Sequence, residues 1–335
     1  MSSRWFPENR ILDCIGLGRL CMDLNANEIH RPIEQTLTFT KYVGGSPANI
    51  TIAMAKLGLR MGFIGRISDD GFGNYIRSYL KQSDIDVSQL VVDLSGSVTG
   101  LAFTEIRSPE ECSILMYRDN VADLKLTPAD ISETYIGSSR ALIISGTALA
   151  QSPSREAVFQ ALEYARKQGT TVIFDIDYRP YSWKNTEETY VYCRMVAAQS
   201  DIIFGGREEF DLLERSTGQS PDDEATAREW LKERAKLVVV KHGGRGSVAF
   251  VQSGERFQAG VFPTRVVKTF GAGDSFAGAF LYALLQDWDI AKCLEWGSAA
   301  ASIVVSSHSC SDAMPNSSQI KERIAQQGKK EESEC

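Results

Sequence analysis

A loop of three small residues, Gly271-Ala-Gly273, is the feature that most constrains what this chain can fold into. An extended run precedes it at 262–267, and apolar residues recur at helical spacing after it, so the loop opens a helix. Because these residues carry almost no side chain, an anion can approach the backbone N–H groups at the positive end of that helix. Asp274 comes next and is placed to accept a proton from a bound hydroxyl, with helix capping as an equally good interpretation. The stretch therefore suggests phosphoryl transfer.

The rest of the chain alternates between short apolar runs and amphipathic segments. Strands are predicted at 11–17, 61–64, 141–145, 171–174, 201–204 and 237–240. Helices are predicted at 48–57, near 73–80, and at 155–167, 187–198 and 225–235. Strands separated by helices of this length form parallel βαβ units. The fold class is therefore α/β, with helices on both faces of a mostly parallel sheet.

Two segments, 24–43 and 97–118, interrupt this alternation with β-rich runs that no helix separates. They predict a small antiparallel sheet that covers a cleft, and the alternative is that they extend the edge of the main sheet. We expect a single domain over 10–325, followed by a polar, disordered tail at 326–335.

Composition excludes several classes of function. The net charge is −7 and the 36 basic residues are scattered, so nucleic acid is not expected as a partner. Seven widely spaced cysteines without a Cys-x-x-Cys motif are typical of reduced thiols, which favours a cytoplasmic protein. The three histidines form no zinc-type arrangement. No apolar run approaches the roughly 18 residues of a membrane span, so no membrane partner is expected.

Neither of the two common nucleotide-binding glycine loops is present. Gly16 and Gly18 follow the first strand, but a dinucleotide-binding loop needs a third glycine where Cys21 stands. The sequence also contains no Gly-x-x-x-x-Gly-Lys-Ser/Thr loop. If ATP binds to this chain, another architecture holds it.

Three separated motifs resemble the PfkB/ribokinase family of carbohydrate kinases. They are Gly44-Gly-Ser-Pro-Ala-Asn49, Val239-Val-Lys-His-Gly-Gly-Arg-Gly246 and Thr269-Phe-Gly-Ala-Gly-Asp274. The resemblance runs from Gly16 to about Ile324, which is almost the whole chain. It implies a ribokinase-like three-layer α/β/α core with a small β-lid. It also implies a sugar bound between core and lid, with ATP in a groove of the C-terminal half.

The resemblance gives individual residues expected roles. Asp274 is the expected catalytic base, and the amides of Gly271, Ala272 and Gly273 are expected to stabilise the transferred phosphoryl group. The residues expected to bind sugar hydroxyls are Asp23, Gly44, Gly45 and Asn49. The residues expected to border the nucleotide are Lys241, Gly243 and Gly246. Capping and turn formation are the structural alternatives for these positions.

Two positions depart from the family pattern. The family's Asn-x-x-Glu motif organises Mg²⁺, and here Gly206 replaces the asparagine while Glu209 keeps the carboxylate, which we expect to act on Mg²⁺ through water. Lys268 stands where many members carry an aspartate that binds a monovalent cation. Because an ammonium group has no acceptor for K⁺, we expect the lysine charge to replace the ion beside the loop Gly271-Ala-Gly273, the anion loop. The alternative is a solvent-pointing lysine with no cation site.

The segment 174–183 resembles the substrate-binding segment of the sugar-acid branch, with Asp177 in place of an asparagine. Arg179 in this segment and Arg118 in the lid are expected to bind a substrate carboxylate through bidentate hydrogen bonds. Together with Ser311-Asp-Ala-Met-Pro315, the pattern implies phosphorylation of 5-dehydro-2-deoxy-D-gluconate at C6, in inositol catabolism. The alternative substrates are 2-dehydro-3-deoxygluconate and then fructose.

Two further expectations concern catalysis and assembly. A sugar-binding regulator that has lost catalysis is an alternative to an enzyme, because the asparagine of the Mg²⁺ motif is missing. The intact Gly-Ala-Gly-Asp sequence argues against it. Since lids in this family often pair between subunits, the resemblance also implies a homodimer through the lid.

Overall fold

The computed structural model describes residues 5–108, 111–214 and 222–334. Its strands are β1 Cys14–Leu17, β2 Cys21–Ala26, β3 Phe39–Gly44, β4 Met61–Ser68, β5 Ile85–Asp93, β6 Gly100–Ile106, β7 Cys112–Tyr117, β8 Ala141–Ser145, β9 Thr171–Asp175, β10 Ile202–Gly206, β11 Leu237–Lys241, β12 Ser247–Val251 and β13 Arg256–Ala259. Its helices are α1 Ser46–Lys56, α2 Gly71–Gln82, α3 Glu133–Gly137, α4 Ser154–Gln168, α5 Thr186–Ala197, α6 Arg207–Glu214, α7 Asp223–Lys232, α8 Ala272–Leu285, α9 Ile290–Val305 and α10 Ser317–Glu334. No helix in the described ranges has the length and hydropathy of a membrane span.

The main sheet has nine strands in the order β13-β12-β11-β10-β9-β8-β1-β4-β5. The strands from β11 to β5 are parallel, and β12 and β13 add an antiparallel edge. Strand β8 is buried along its whole length, because helices cover both faces of the sheet. Its neighbouring residues Leu142 and Ile143 therefore pack into two different apolar cores, one on each face. This arrangement confirms the predicted three-layer α/β/α architecture.

The second sheet has the order β3-β2-β6-β7. It consists of two antiparallel hairpins, β2–β3 and β6–β7, which correspond to the two β-rich segments seen in the sequence. The hairpins pair side by side through parallel strands β2 and β6. The sheet is thus separate from the main sheet, and its strands β6 and β7 contribute Thr104, Ile114 and Met116 to the wall of a cavity.

The C-terminal segment differs from the sequence-based expectation. Residues 326–335 were predicted to be disordered, whereas α10 continues to Glu334, and residue 335 lies outside the described residues. Glutamine, lysine and glutamate are good helix formers and the segment contains no proline, so the single unfavourable residue, Gly328, does not end the helix. The polar composition that suggested disorder is equally compatible with a solvated helix.

Candidate active site

Two cavities meet at the N-terminus of α8. The lid cavity lies between the two sheets, has a volume of about 430 Å³, and is defined by Asp23, Asn49, Thr104, Met116, Asp177 and Asp274. The C-terminal cavity also measures about 430 Å³ and is defined by Gly243, Gly246, Val261, Phe262, Ser298 and Ala301. Lys241, Thr269 and Gly273 line both cavities. A group bound in one cavity can therefore face a group bound in the other across the anion loop.

The anion loop adopts a backbone conformation that requires glycine. Gly271 is the N-cap of α8 and has a φ of 79°, in the left-handed region. A Cβ at this position would lie 2.9 Å from the Cys310 Sγ, and one at Gly273 would lie 3.4 Å from the Lys241 Nζ. No side chain caps the start of α8. Its first backbone N–H groups are therefore available to an anion at the junction of the cavities.

Asp274 lines the lid cavity directly after Gly273, which lines both cavities, and is only 9% exposed. Its carboxylate accepts hydrogen bonds from the Ser46 Oγ at 2.7 Å and from the Asn49 Nδ2 at 2.8 Å. Burial raises the pKa of Asp274 above its usual range, since both bonds only partly offset the loss of solvation. A buried carboxylate held by two donors, with a raised pKa, has the properties of a general base.

Helix α1 supplies both donors to Asp274, and the glycine pair before it fixes where that helix begins. Gly45 has a φ of 108°, and a Cβ there would lie 2.3 Å from the backbone oxygen of Arg19. Asn49 also lines the lid cavity, and its buried Oδ1 has no partner among the described residues. Asn49 was predicted to contact the sugar. Its Nδ2 also holds Asp274 in place, and its Oδ1 faces no protein donor in the described ranges.

Asp23 lies in the wall of the lid cavity, as expected for a sugar-binding carboxylate. Burial raises the pKa of Asp23 to about 6. Gly44 acts indirectly, because a Cβ at this position would lie 2.1 Å from the Asp23 Oδ1. The absence of a side chain at Gly44 leaves room for the carboxylate.

Two further carboxylates, Asp175 and Glu209, lie in the wall of the lid cavity. Asp175 pairs with the Lys241 Nζ at 3.1 Å, and burial raises the pKa of Asp175. Glu209 accepts hydrogen bonds from the backbone N–H groups of Gly206 at 2.6 Å and Tyr178 at 2.8 Å. These oxygen donors suit Mg²⁺, which commonly keeps several waters. Among the described residues no cluster of three metal-binding side chains exists.

The C-terminal cavity has a different character. Gly243 and Gly246 have φ values of 56° and 94°, and a Cβ at Gly246 would lie 2.1 Å from the Ala259 backbone oxygen. Opposite this turn, α9 presents the small residues Ser298 and Ala301. The segment 261–266 runs along the cavity without pairing into a strand. Small and apolar walls of this kind accommodate a flat, weakly charged group such as a purine.

The profile of the pfkB family carbohydrate kinases matches residues 12–317. The chain belongs to this family. A 5-dehydro-2-deoxygluconokinase of Geobacillus kaustophilus (strain HTA426) is 62% identical over 326 residues, which are 97% of each chain. One of Bacillus anthracis is 58% identical over 316 residues, covering 94% of this chain and 95% of the relative.

Solved structures agree on the fold. A PfkB protein from Polaromonas sp. JS666 has a TM-score of 0.79 and 27% identity, covering 90% of this chain and 99% of its own. A putative ribokinase II from E. coli, in complex with ATP and Mg²⁺, has a TM-score of 0.85 and 23% identity over 94% of this chain and 100% of its own. The ribokinase-like fold is therefore confirmed. The family match and the curated relatives show that the protein is an ATP-dependent carbohydrate kinase.

The position of Arg118 in this kinase differs from the one predicted. It does not line the lid cavity, and its Nη2 pairs with the buried Asp123 Oδ2 at 2.7 Å. Strand β7 points Ile114 and Met116 into the cavity and ends at Tyr117. Alternate side chains of a strand point to the same face, so Arg118 would follow Ile114 and Met116 into the cavity only if the strand continued. It ends one residue before Arg118. Arg118 therefore forms a buried ion pair with Asp123 and is not brought together with the other predicted site residues.

Arg179 does line the lid cavity of the kinase, but its charge is already engaged. Its Nη2 lies 2.8 Å from the Asp177 Oδ1, and its Nη1 donates to the Tyr178 backbone oxygen at 3.1 Å. Asp177 in turn accepts a hydrogen bond from the Ser145 Oγ at 2.8 Å. The aspartate that departs from the family pattern therefore holds the arginine beside it.

Lys268 is fully buried, so the solvent-pointing alternative is wrong for this kinase. Its Nζ donates to the Phe270 backbone oxygen at 2.7 Å and to the Cys310 Sγ at 3.4 Å. It is not among the residues that line either cavity, so it lies behind the anion loop rather than against the nucleotide.

Sequence reasoning missed Arg19, which lies in the wall of the lid cavity. It follows β1 by two residues, at the carboxyl end of a central parallel strand. Ligands of open α/β sheets bind at that edge, so the position of this arginine could have identified it. Tyr181, whose hydroxyl lies 3.3 Å from the Arg19 Nη1, was missed as well.

Proposed function

We propose that this kinase transfers the γ-phosphoryl group of ATP to the C6 hydroxyl of 5-dehydro-2-deoxy-D-gluconate, a step of inositol catabolism. The curated relatives of that name at 62% and 58% identity, matched over nearly the full chain, support this substrate. The observation that carries the proposal is the position of Asp274. Its buried carboxylate faces the lid cavity in the first turn of α8, next to Gly273, which lines both cavities.

In the proposed reaction, Asp274 takes the proton of the C6 hydroxyl, and the resulting oxygen attacks the γ-phosphorus. The bond from that phosphorus to the bridging oxygen breaks, and ADP leaves with the electron pair. The amides of Gly271, Ala272 and Gly273 stabilise the charge on the transferred group. The residues proposed to position the sugar are Asp23, Gly44, Gly45, Asn49 and Arg179. The residues proposed to border ATP are Lys241, Gly243 and Gly246.

The proposal includes a divalent cation, as in the ATP and Mg²⁺ complex of the E. coli relative. Glu209 and Asp175 are the residues that would hold Mg²⁺ or its waters. When bound, the ion neutralises phosphate charge during transfer. We further propose that the buried Lys268 ammonium supplies the positive field that a monovalent cation gives in other family members. Its contact with the Phe270 backbone oxygen supports this role, because that bond fixes the charge directly beneath the anion loop.

The substrate is tested by measuring kcat/KM with ATP on 5-dehydro-2-deoxy-D-gluconate, 2-dehydro-3-deoxygluconate and fructose. We expect a clear preference for the first, and a preference for fructose would contradict the acid-binding site. Calorimetry on the same three compounds addresses the regulator alternative. Tight sugar binding without ATP consumption would show a binding protein instead of an enzyme.

We also propose a homodimer that forms through the outer face of the lid. Phe39 and Phe103 make an edge-to-face contact there, and Phe103 makes another with Tyr117. Leu115 and Tyr117 are 48% and 58% exposed, so this face leaves apolar side chains in contact with solvent. Sedimentation velocity on wild type and Leu115→Lys/Tyr117→Lys tests the proposal. A wild type that remains monomeric at micromolar concentration would refute it.

The described cysteines are all free, which is typical of the reducing cytoplasm in which we propose that the kinase acts.

A further inference from the structure

Arg19 is a buried guanidinium group that none of the described carboxylates contacts directly, although Asp23 and Asp177 act on its charge through space. It is 6% exposed and lies in the wall of the lid cavity. Its Nη1 bonds to the Tyr181 hydroxyl at 3.3 Å, and its Nε has no partner among the described residues. No carboxylate in the described part of the chain forms an ion pair with it. A charge withdrawn from water is unfavourable unless it is paired, so this position suits an anionic ligand.

The other two arginines considered for the substrate do not share this property. Arg179 is neutralised by Asp177 at 2.8 Å, and Arg118 by Asp123 at 2.7 Å outside the cavity. A substrate carboxylate at Arg179 would have to compete with a fixed protein carboxylate. At Arg19 it would meet free donors, including the unpartnered Nε. The edge formed by Nε and Nη2, which has no hydrogen bond among the described residues, also allows bidentate binding.

The position of Arg19 relative to the catalytic base is also suitable. Its backbone oxygen packs against Gly45, and the next residue, Ser46, donates to Asp274. Arg19 and Asp274 therefore belong to one connected wall of the lid cavity. We propose that Arg19 is the specificity-determining residue, whose guanidinium holds the C1 carboxylate while the C6 hydroxyl of the same substrate reaches Asp274. This inference rests on the proposed function, because it assumes the six-carbon sugar acid.

The test compares the sugar acid with its neutral C1 amide, which keeps the shape but removes the charge. Wild type, Arg19→Met and Arg19→Lys are assayed for kcat/KM on both compounds. We expect Arg19→Met to lose about 10- to 100-fold on the acid, the range for a charged hydrogen bond, and less than about threefold on the amide. Arg19→Lys should recover part of the loss, because lysine restores the charge but lacks the planar pair of N–H donors that binds a carboxylate in a bidentate way. Equal losses on both compounds would overturn the inference.

Arg118→Met is the matched control, since it makes the same change at an arginine that is 8% exposed but lies outside the cavity. It should leave the acid-to-amide ratio of kcat/KM unchanged, whatever it does to stability. Tyr181→Phe is the second variant if Arg19→Met does not fold, since Tyr181 is 41% exposed. It should lower the ratio by about two- to fivefold through the lost contact with Arg19. An unchanged ratio in Tyr181→Phe and Arg19→Lys would also overturn the inference.

These assays separate failure of the inference from failure of the proposed function. A wild type that does not phosphorylate the acid at all contradicts the function. A wild type that prefers the acid, together with an Arg19→Met variant that keeps the same preference, contradicts only the role of Arg19.

Discussion

The lid cavity and the C-terminal cavity have the same volume of about 430 Å³ but opposite chemistry. The lid cavity is lined by charged side chains, including the partly exposed Asp23 and the buried Asp177 and Arg19. The C-terminal cavity is lined by glycines and small or apolar side chains, such as Ala301. One cavity therefore selects its ligand by charge and hydrogen bonds, and the other by shape. Lys241, Thr269 and Gly273 line both cavities and form the wall between them, next to Asp274, where the proposed phosphoryl transfer takes place.

The largest effect is expected in that wall. Asp274→Asn should lower kcat by roughly 10²–10⁴ while sugar and ATP binding change only a few-fold, because it removes a positioned base but keeps its shape. Steady-state kinetics and calorimetry measure the two parts. Ser46→Ala, which removes one donor to Asp274, should cost much less. Full activity in Asp274→Asn would exclude Asp274 from the mechanism, and loss of folding would favour capping as its role.

Lys268→Met tests the buried positive charge beside the anion loop. It should lower kcat by about 10- to 100-fold, because the positive charge that organises the anion loop is lost. Wild type should keep its activity in K⁺-free tetramethylammonium buffer, since its cation is built in. A wild type that requires added K⁺, or a fully active Lys268→Met, would refute the internal-cation role.

Asp23→Asn tests the charged wall of the lid cavity. It should raise KM for the sugar acid by about tenfold, since a carboxylate that accepts hydrogen bonds from the sugar hydroxyls is lost. KM for ATP should stay within about twofold. It should also stabilise the apoprotein. The pKa of Asp23 is about 6 in the folded state against 3.8 in the unfolded chain. Between these values only the folded protein binds the proton, so the free energy of unfolding falls as pH rises through that window.

Removing this group should therefore raise the free energy of unfolding by about 1–2 kcal/mol at pH 7 and by almost nothing at pH 4. Urea unfolding of wild type and Asp23→Asn at both pH values measures the difference. A stability gain of equal size at the two pH values would contradict the ionisation of Asp23 as its cause.

The smallest effect is expected on the apolar side. Ala301→Leu places a larger side chain in the C-terminal cavity and should raise KM for ATP by about three- to tenfold, without changing KM for the sugar. Ala291→Leu makes the same change at an exposed position of the same helix and is the matched control. An equal effect on both substrates would mean that the cavities are not independent.

Local sequence patterns predicted much of this molecule because the information they carry is local. The parallel strands β8 and β11 were found within one residue, since an apolar strand covered on both faces is a continuous apolar run. The catalytic loop was found because the left-handed Gly271 and the small residues after it are required where the backbone itself binds. The edge strands β13 and β5 were missed, because their half-exposed or mixed patterns resemble loops. Strand β12 was missed as well, although it is buried along its whole length.

The remaining features depend on contacts between distant segments. Asp274 was visible in the sequence, but only the fold brings Ser46 and Asn49, more than 200 residues away, to its carboxylate. Arg118 and Arg19 were equally charged in the sequence. Tertiary structure pairs the first with Asp123, because a strand ends at Tyr117, and places the second in the wall of the lid cavity, where none of the described carboxylates forms an ion pair with it. The amino-acid sequence sets which charged groups the chain carries, whereas the fold sets which of them form ion pairs, since ion pairing depends on distances that no local pattern encodes.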